Sequence, residues 1–137
     1  MGTEGLKVYV ASRLENAAAV RVMYAVLHDA GLQVAYDWTR DGDVRGRGVM
    51  ARREVSEKEI RAVRESDALV LLCPGGRGAH VELGAALALG IAVVVVGPID
   101  GLSDPAFYSH PRVARVADAP QAVAFLLGLA AARGADR

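Results

Sequence analysis

Two nearly unbroken aliphatic runs, residues 68–73 (A-L-V-L-L-C) and 91–96 (I-A-V-V-V-V), constrain the fold of this chain more than any other feature. A strand with one wet face alternates apolar and polar side chains. A strand covered on both faces has no need to, so both runs are expected to be central strands of a parallel sheet. Residues 6–11 (L-K-V-Y-V-A) read as a first strand, and residues 16–30 carry the helical spacing Val20, Met23, Tyr24, Leu27, closed by Gly31. Residues 32–37 alternate as a strand, and residues 38–50 form a charged, glycine-containing loop, a candidate mobile lid. Ser56 with Glu59 three residues on is a capping-box pair, which predicts a helix over residues 55–66, or one starting earlier, with Ile60 and Val63 inward. Residues 98–111 read as loop, 113–116 as a short edge strand, and 119–132 as a closing helix that frays beyond Arg133. Strands alternating with helices predict a three-layer α/β fold: an open parallel sheet of about five strands, flavodoxin-like or Rossmann-like, with helices on both faces. Ligands of such folds bind outside the carboxyl ends of the strands.

At 137 residues and 53% hydrophobic, the chain suits a single domain over residues 1–137. Sixteen basic and sixteen acidic residues cancel, leaving no bulk attraction for a nucleic acid polymer or an anionic membrane. Near-neutrality also fits a homo-oligomer, a dimer or higher. The single cysteine, Cys73, excludes an internal disulfide, and the N-terminus shows no signal-peptide pattern, so a cytoplasmic location is expected. The apolar stretch at residues 83–96 falls short of the roughly 18–20 residues that a membrane span needs.

Between the two aliphatic runs stands one carboxylate, Glu82, expected inside the first turn of the helix that joins the two central strands. An ionised carboxylate beside apolar neighbours costs several kcal/mol unless compensated, and a helix N-terminus returns roughly 0.3–1 kcal/mol, up to about 2 when partly buried. Burial raises the pKa and the helix end lowers it, so the protonation state stays open at this point. Glu82 is a candidate nucleophile; the alternative is a residue that only complements the helix dipole. Ser12, Arg13 and Asn16, after the first strand, can hold a phosphate or sugar hydroxyls, or Ser12 or Asn16 can simply cap a helix. Gly75, Gly76, Arg77 and Gly78 can bring bare backbone and a cation to a phosphate.

Trp38 and Tyr36 can stack on a base or fill core, and Tyr9 can reach the site or pack inside. His80 can touch a substrate or face solvent, and Glu59 can orient or protonate a substrate or lie on the surface. Arg45, Arg47, Arg52 and Arg53 can meet an anionic ligand or form a solvated face. Cys73 reads as buried packing. His28, His80 and His110 are too scattered for a metal-ligand spacing, so neither metal nor cofactor is expected.

At these residues the chain resembles the nucleoside 2-deoxyribosyltransferase superfamily, which includes the 2′-deoxynucleoside 5′-phosphate N-hydrolases. The resemblance spans residues 7–97 and is carried by V-Y-V-A-S-R, by S-D-A-L-V-L-L from Ser66 and most specifically by H-V-E-L-G-A-A-L-A-L-G-I-A-V-V-V-V from His80. It implies a nucleoside 2-deoxyribosyltransferase-like domain that breaks the N-glycosidic bond of a nucleoside or nucleoside 5′-monophosphate, by hydrolysis or deoxyribosyl transfer. It also implies Glu82 as nucleophile, Tyr9 and the Ser12-Arg13 turn at the sugar or phosphate, and Glu59 where the family commonly has an Asp that assists proton transfer. The segment P-G-G-R-G-A-H-V-E is similar to the P-G-G-x-G-T-x-x-E motif of the cytokinin-activating phosphoribohydrolases, with Ala79 at the Thr position. Both resemblances point to a small-molecule nucleoside or nucleotide. Two other classes remain open: a non-catalytic nucleotide-binding or signalling module on this fold, and an interaction protein whose Gly84-Ala85-Ala86-Leu87-Ala88 face packs on a partner subunit.

Overall fold

The computed structural model describes residues 5–98 and 104–135. Five strands, β1 (Lys7–Ala11), β2 (Gln33–Val34), β3 (Ala68–Leu72), β4 (Ala92–Val96) and β5 (Val113–Val116), form one parallel sheet in the order β2-β1-β3-β4-β5. Helices α1 (Ala17–Asp29) and α4 (Ala119–Ala135) pack together on one face, and α2 (Val49–Arg64) packs with α3 (Arg77–Ala88) on the other. This is the three-layer α/β fold that the aliphatic runs predict.

Every residue of β3 is buried, as are residues 93–96 of β4. Helices cover both sides of these strands, so each side chain leaves water whichever way the pleat turns it, and Leu and Val at successive positions all contribute to the core. α1 turns Val20, Met23, Tyr24 and Leu27 inward at the predicted spacing. The strand order positions the site. From β1 the chain crosses one face to β2, then returns across the other face to β3. A crevice therefore opens at the carboxyl ends of β1 and β3, where the connections diverge.

Three boundaries differ from expectation. α2 begins at Val49, after Gly48 at φ +97°, and Ser56 lies inside it with its hydroxyl donating back to the Arg53 carbonyl at 2.8 Å. The capping box is therefore not the start of this helix. Its first turn exposes Val49 and Met50 (61% and 68%), so no inward-facing stripe marks the residues as helical. β2 ends at Val34, although Ala35 still donates to the Val8 carbonyl at 2.8 Å. Beyond it the Tyr36 carbonyl accepts from the Tyr24 hydroxyl at 3.0 Å, which draws the backbone off the sheet edge.

The start of the expected lid is packed wall, while most of residues 40–50 is exposed. Trp38–Asp41 is a 3-10 turn whose Trp38 is 7% exposed and donates its indole N–H to the Val10 carbonyl at 2.7 Å. The closing helix continues past Arg133 to Ala135. Arg133 anchors that end by pairing with Asp67 at 2.8 Å, while Asp67 also accepts from the Lys7 amide at 2.8 Å. Within the expected 98–111 loop, Ala106–Ser109 is a 3-10 turn, and residues 99–103 lie outside the described residues. Among the described residues, no helix is long and apolar enough to cross a membrane.

Candidate active site

Side chains from four segments meet over the β1–β3 crevice, around a cavity of about 500 Å³. Its floor is a buried polar cluster. Tyr9, in the middle of β1 and wholly excluded from solvent, donates its hydroxyl to Glu82 Oε2 at 2.5 Å, and the Tyr9 hydroxyl oxygen lies 3.4 Å from Glu59 Oε1. The charge of Glu59 acts on Glu82 across this short gap, so the pair favours holding one proton over ionising twice. Two carboxyl oxygens that both reach one hydroxyl are separated by no more than those distances laid end to end. That is closer than the roughly 6.5–9.5 Å separating the carboxylates of an inverting glycosidase, which must fit a water between them.

Glu82 lies in the second turn of α3, not in the first turn as expected, so the free amides of the helix start are not its partners. Burial first, and the charge of Glu59 second, push its carboxyl up to about 9, against the lowering effect of the Tyr9 donation. Burial likewise raises Glu59, which the hydrogen bonds from Glu82 and Tyr9 pull back. The Tyr9 hydroxyl is held far above its ordinary value, by burial and then by the neighbouring Glu82 charge, so it stays a donor. The arrangement is a like-charge pair holding one proton, oriented by a tyrosine that keeps its own.

The mouth has the opposite character. Arg13, from the loop after β1, and Arg77, at the start of α3, line it with Gly76, Gly78 and Ala79. Gly76 is the N-cap of α3 and supplies no side-chain cap, so the first-turn amides remain available to an anion. A Cβ on Gly76 would stand 3.2 Å from Arg13 Cβ, so a side chain there would press the two loops apart. Arg13 is only loosely paired, 3.8 Å from Glu15 with both side chains about half exposed. The remaining wall combines Leu14, Val55 and Trp38 with Asp41, Asp43 and Arg45. Arg45 makes a two-pronged contact with Asp43 at 2.9 and 2.8 Å.

The residues singled out from sequence thus separate. Glu82, Glu59, Ser12, Arg13, Trp38, Gly76, Arg77 and Gly78 line the cavity, with Tyr9 beneath. Ser12 ties the first loop to the end of β3 by donating to the Leu72 carbonyl at 2.8 Å, and Asn16 stands behind it, donating to Ser12 Oγ at 2.9 Å. Neither side chain caps α1, and Asn16 does not reach the cavity. Gly75 packs against Leu71 and His80 beneath the loop instead of lining it.

His80 turns away. Its Nδ1 lies 2.7 Å from the Gly76 carbonyl and its Nε2 2.8 Å from the Tyr108 hydroxyl, so it braces the loop from behind. Tyr36 lines a separate hollow with Lys7 and Arg61, and Arg47, Arg52 and Arg53 do not line the cavity. Asp41 does, and the sequence reading overlooked it; the signal was the acidic Asp41-Gly42-Asp43 segment that begins three residues after Trp38. No group of three or more His, Cys, Asp or Glu among the described residues is placed to hold a metal ion.

No protein-family model matches the chain, and no curated protein sequence matches it significantly. Solved structures do. The 2-deoxyribosyltransferase of Bacillus psychrosaccharolyticus superposes with a TM-score of 0.71 at 21% identity, over 88% of this chain and 95% of that one. BlsM gives 0.67 at 16% identity, over 92% and 90% of the two chains. The CMP N-glycosidase BcmB of Clostridium botulinum gives 0.59 at 14% identity, over 88% and 97%. At such identities the likeness is one of fold, and it covers nearly the whole length of each chain. The chain accordingly shares the fold of that 2-deoxyribosyltransferase, and in this chain the cavity lies over the β1–β3 crevice of the five-stranded parallel sheet.

Proposed function

We propose that the chain cleaves the N-glycosidic bond of a nucleoside held as its 5′-monophosphate, by a double displacement with Glu82 as nucleophile and Glu59 as proton donor. One observation supports this above all: a pair of carboxyls that both reach one tyrosine hydroxyl, set beneath a cavity with cations at its mouth. Two structures sharing the fold, a 2-deoxyribosyltransferase and a CMP N-glycosidase, carry names that refer to the same bond.

In this reading the phosphate rests on Arg13, Arg77 and the first-turn amides of α3, and the sugar settles over Glu82, parting it from Glu59. Positive charge developing at C1′ favours the ionised form of Glu82, so the shared proton resides on Glu59. A Glu82 carboxylate oxygen bonds to C1′ as the C1′–N bond breaks. The electron pair leaves with the base nitrogen, and the base takes up the proton from Glu59. Water then attacks C1′ and gives a proton to Glu59, while Glu82 departs as a carboxylate; a second base in place of water makes the reaction a transfer. Tyr9 keeps Glu82 aimed throughout by donating to the oxygen that is not reacting.

Chromatographic detection of free base from a panel of nucleosides and monophosphates, with wild type and Glu82→Ala, tests the proposal. Release by wild type that Glu82→Ala abolishes is expected. No release from any member by wild type overturns it.

A further inference from the structure

We infer that Asp41 reads the base, accepting a hydrogen bond from an exocyclic amino group, so that the site prefers cytosine to uracil and adenine to hypoxanthine. The inference rests on the reading of the cavity as a nucleotide site. Asp41 ends the 3-10 turn Trp38–Asp41 and lines the cavity, yet its Oδ2 is buried and has no hydrogen-bond partner. Neighbouring carboxylates are occupied: Asp37 accepts from the Thr39 amide at 3.0 Å, and Asp43 holds Arg45. A buried carboxylate oxygen without a donor is unfavourable, and a ligand that brings a donor removes the deficit.

Trp38, Leu14 and Val55 on that wall cannot discriminate between bases in the same way. Trp38 has committed its indole N–H to the Val10 carbonyl, so it offers a flat surface that stacks on any base. Leu14 and Val55 offer only apolar contact. Asp41 lines the same cavity as Glu59, the group proposed to protonate the base, and its charge opposes ionisation of that carboxyl. With phosphate at Arg13 and Arg77 and sugar over Glu82, the base is left to the Trp38–Asp41 wall. Exchanging an amino group for a carbonyl there exchanges a donor for an acceptor facing a carboxylate, which is repulsive as well as unpaired.

The experiment compares kcat/KM within two matched pairs, cytidine against uridine monophosphate and adenosine against inosine monophosphate, with ribose and 2′-deoxyribose forms of each. Wild type is expected to favour the amino member by roughly 10- to 150-fold, the range of a hydrogen bond to a charged group. Asp41→Asn, whose amide can present either its donor or its acceptor, is expected to bring the ratio close to unity, and Asp41→Ser repeats the test should the first variant not fold. Equal wild-type values within both pairs, or a ratio unchanged in the variants, overturn the inference. Calorimetric titration of the same monophosphates into Glu82→Gln reads the preference without turnover. If wild type releases no base at all, the proposed reaction fails, and the binding ratio still decides the role of Asp41.

Discussion

Replacing Glu82 by Gln tests the electrostatics of the site without reference to any substrate. The amide has nearly the shape of a protonated carboxyl: its N–H can donate to Glu59 as the shared proton does, and its carbonyl can accept from Tyr9. Folding raises the Glu82 carboxyl from its ordinary 4.5 to about 9, chiefly through burial. A group raised in this way contributes its full stability below its unfolded value and loses it as pH climbs toward the folded one. Within that window wild type is expected to lose up to about 1.4 kcal/mol of stability per pH unit, a few kcal/mol in all between about pH 5 and about pH 8. Glu82→Gln has no proton to lose. The two proteins should therefore melt together near about pH 5, and at about pH 8 the variant should melt higher by on the order of 10 °C, at roughly 3–5 °C per kcal/mol for a chain of this size. Thermal scans across buffers of matched ionic strength measure this directly. Parallel melting curves for the two proteins over the whole range would show that Glu82 is not held neutral in the free protein, and the account of a shared proton would fail.

Three further outcomes follow from the same geometry. The pair works with one proton, so kcat/KM plotted against pH should be bell-shaped, falling in acid as both carboxyls become protonated and in alkali, toward about 9, as the last proton leaves. Tyr9→Phe removes the 2.5 Å donation that lowers Glu82; a pH–rate series should show the alkaline limb moved upward and kcat reduced by roughly 10- to 100-fold. Arg13→Ala combined with Arg77→Ala should raise KM for a monophosphate by on the order of 10-fold while leaving KM for the matching nucleoside nearly unchanged, since in the proposed binding mode these two exposed cations meet only the phosphate. Steady-state kinetics on the two substrates give that split.

Local periodicity made the layers of this protein legible. Unbroken Leu and Val at residues 69–72 and 93–96 state that both faces of the sheet are covered, and the spacing of Val20, Met23, Tyr24 and Leu27 states which side of α1 turns inward. A carboxylate amid apolar sequence marked Glu82 for the same reason, since side-chain chemistry and its immediate neighbours are written locally. The partners of that carboxylate were not so written. Tyr9 and Glu82 stand 73 positions apart, and Tyr9 and Glu59 stand 50 apart. They meet because β1 lies beside β3 while α2 and α3 pack over the same face, an order fixed by the summed burial of the sheet and not by any short segment. Tertiary packing likewise turned His80 toward Tyr108, drew Trp38 down onto Val10 and left Asp41, at the cavity wall, with a buried oxygen that has no partner. Each of these side chains could have pointed elsewhere with its local backbone unchanged. What decides its direction is the hydrogen-bond partner that a distant strand or turn brings within reach.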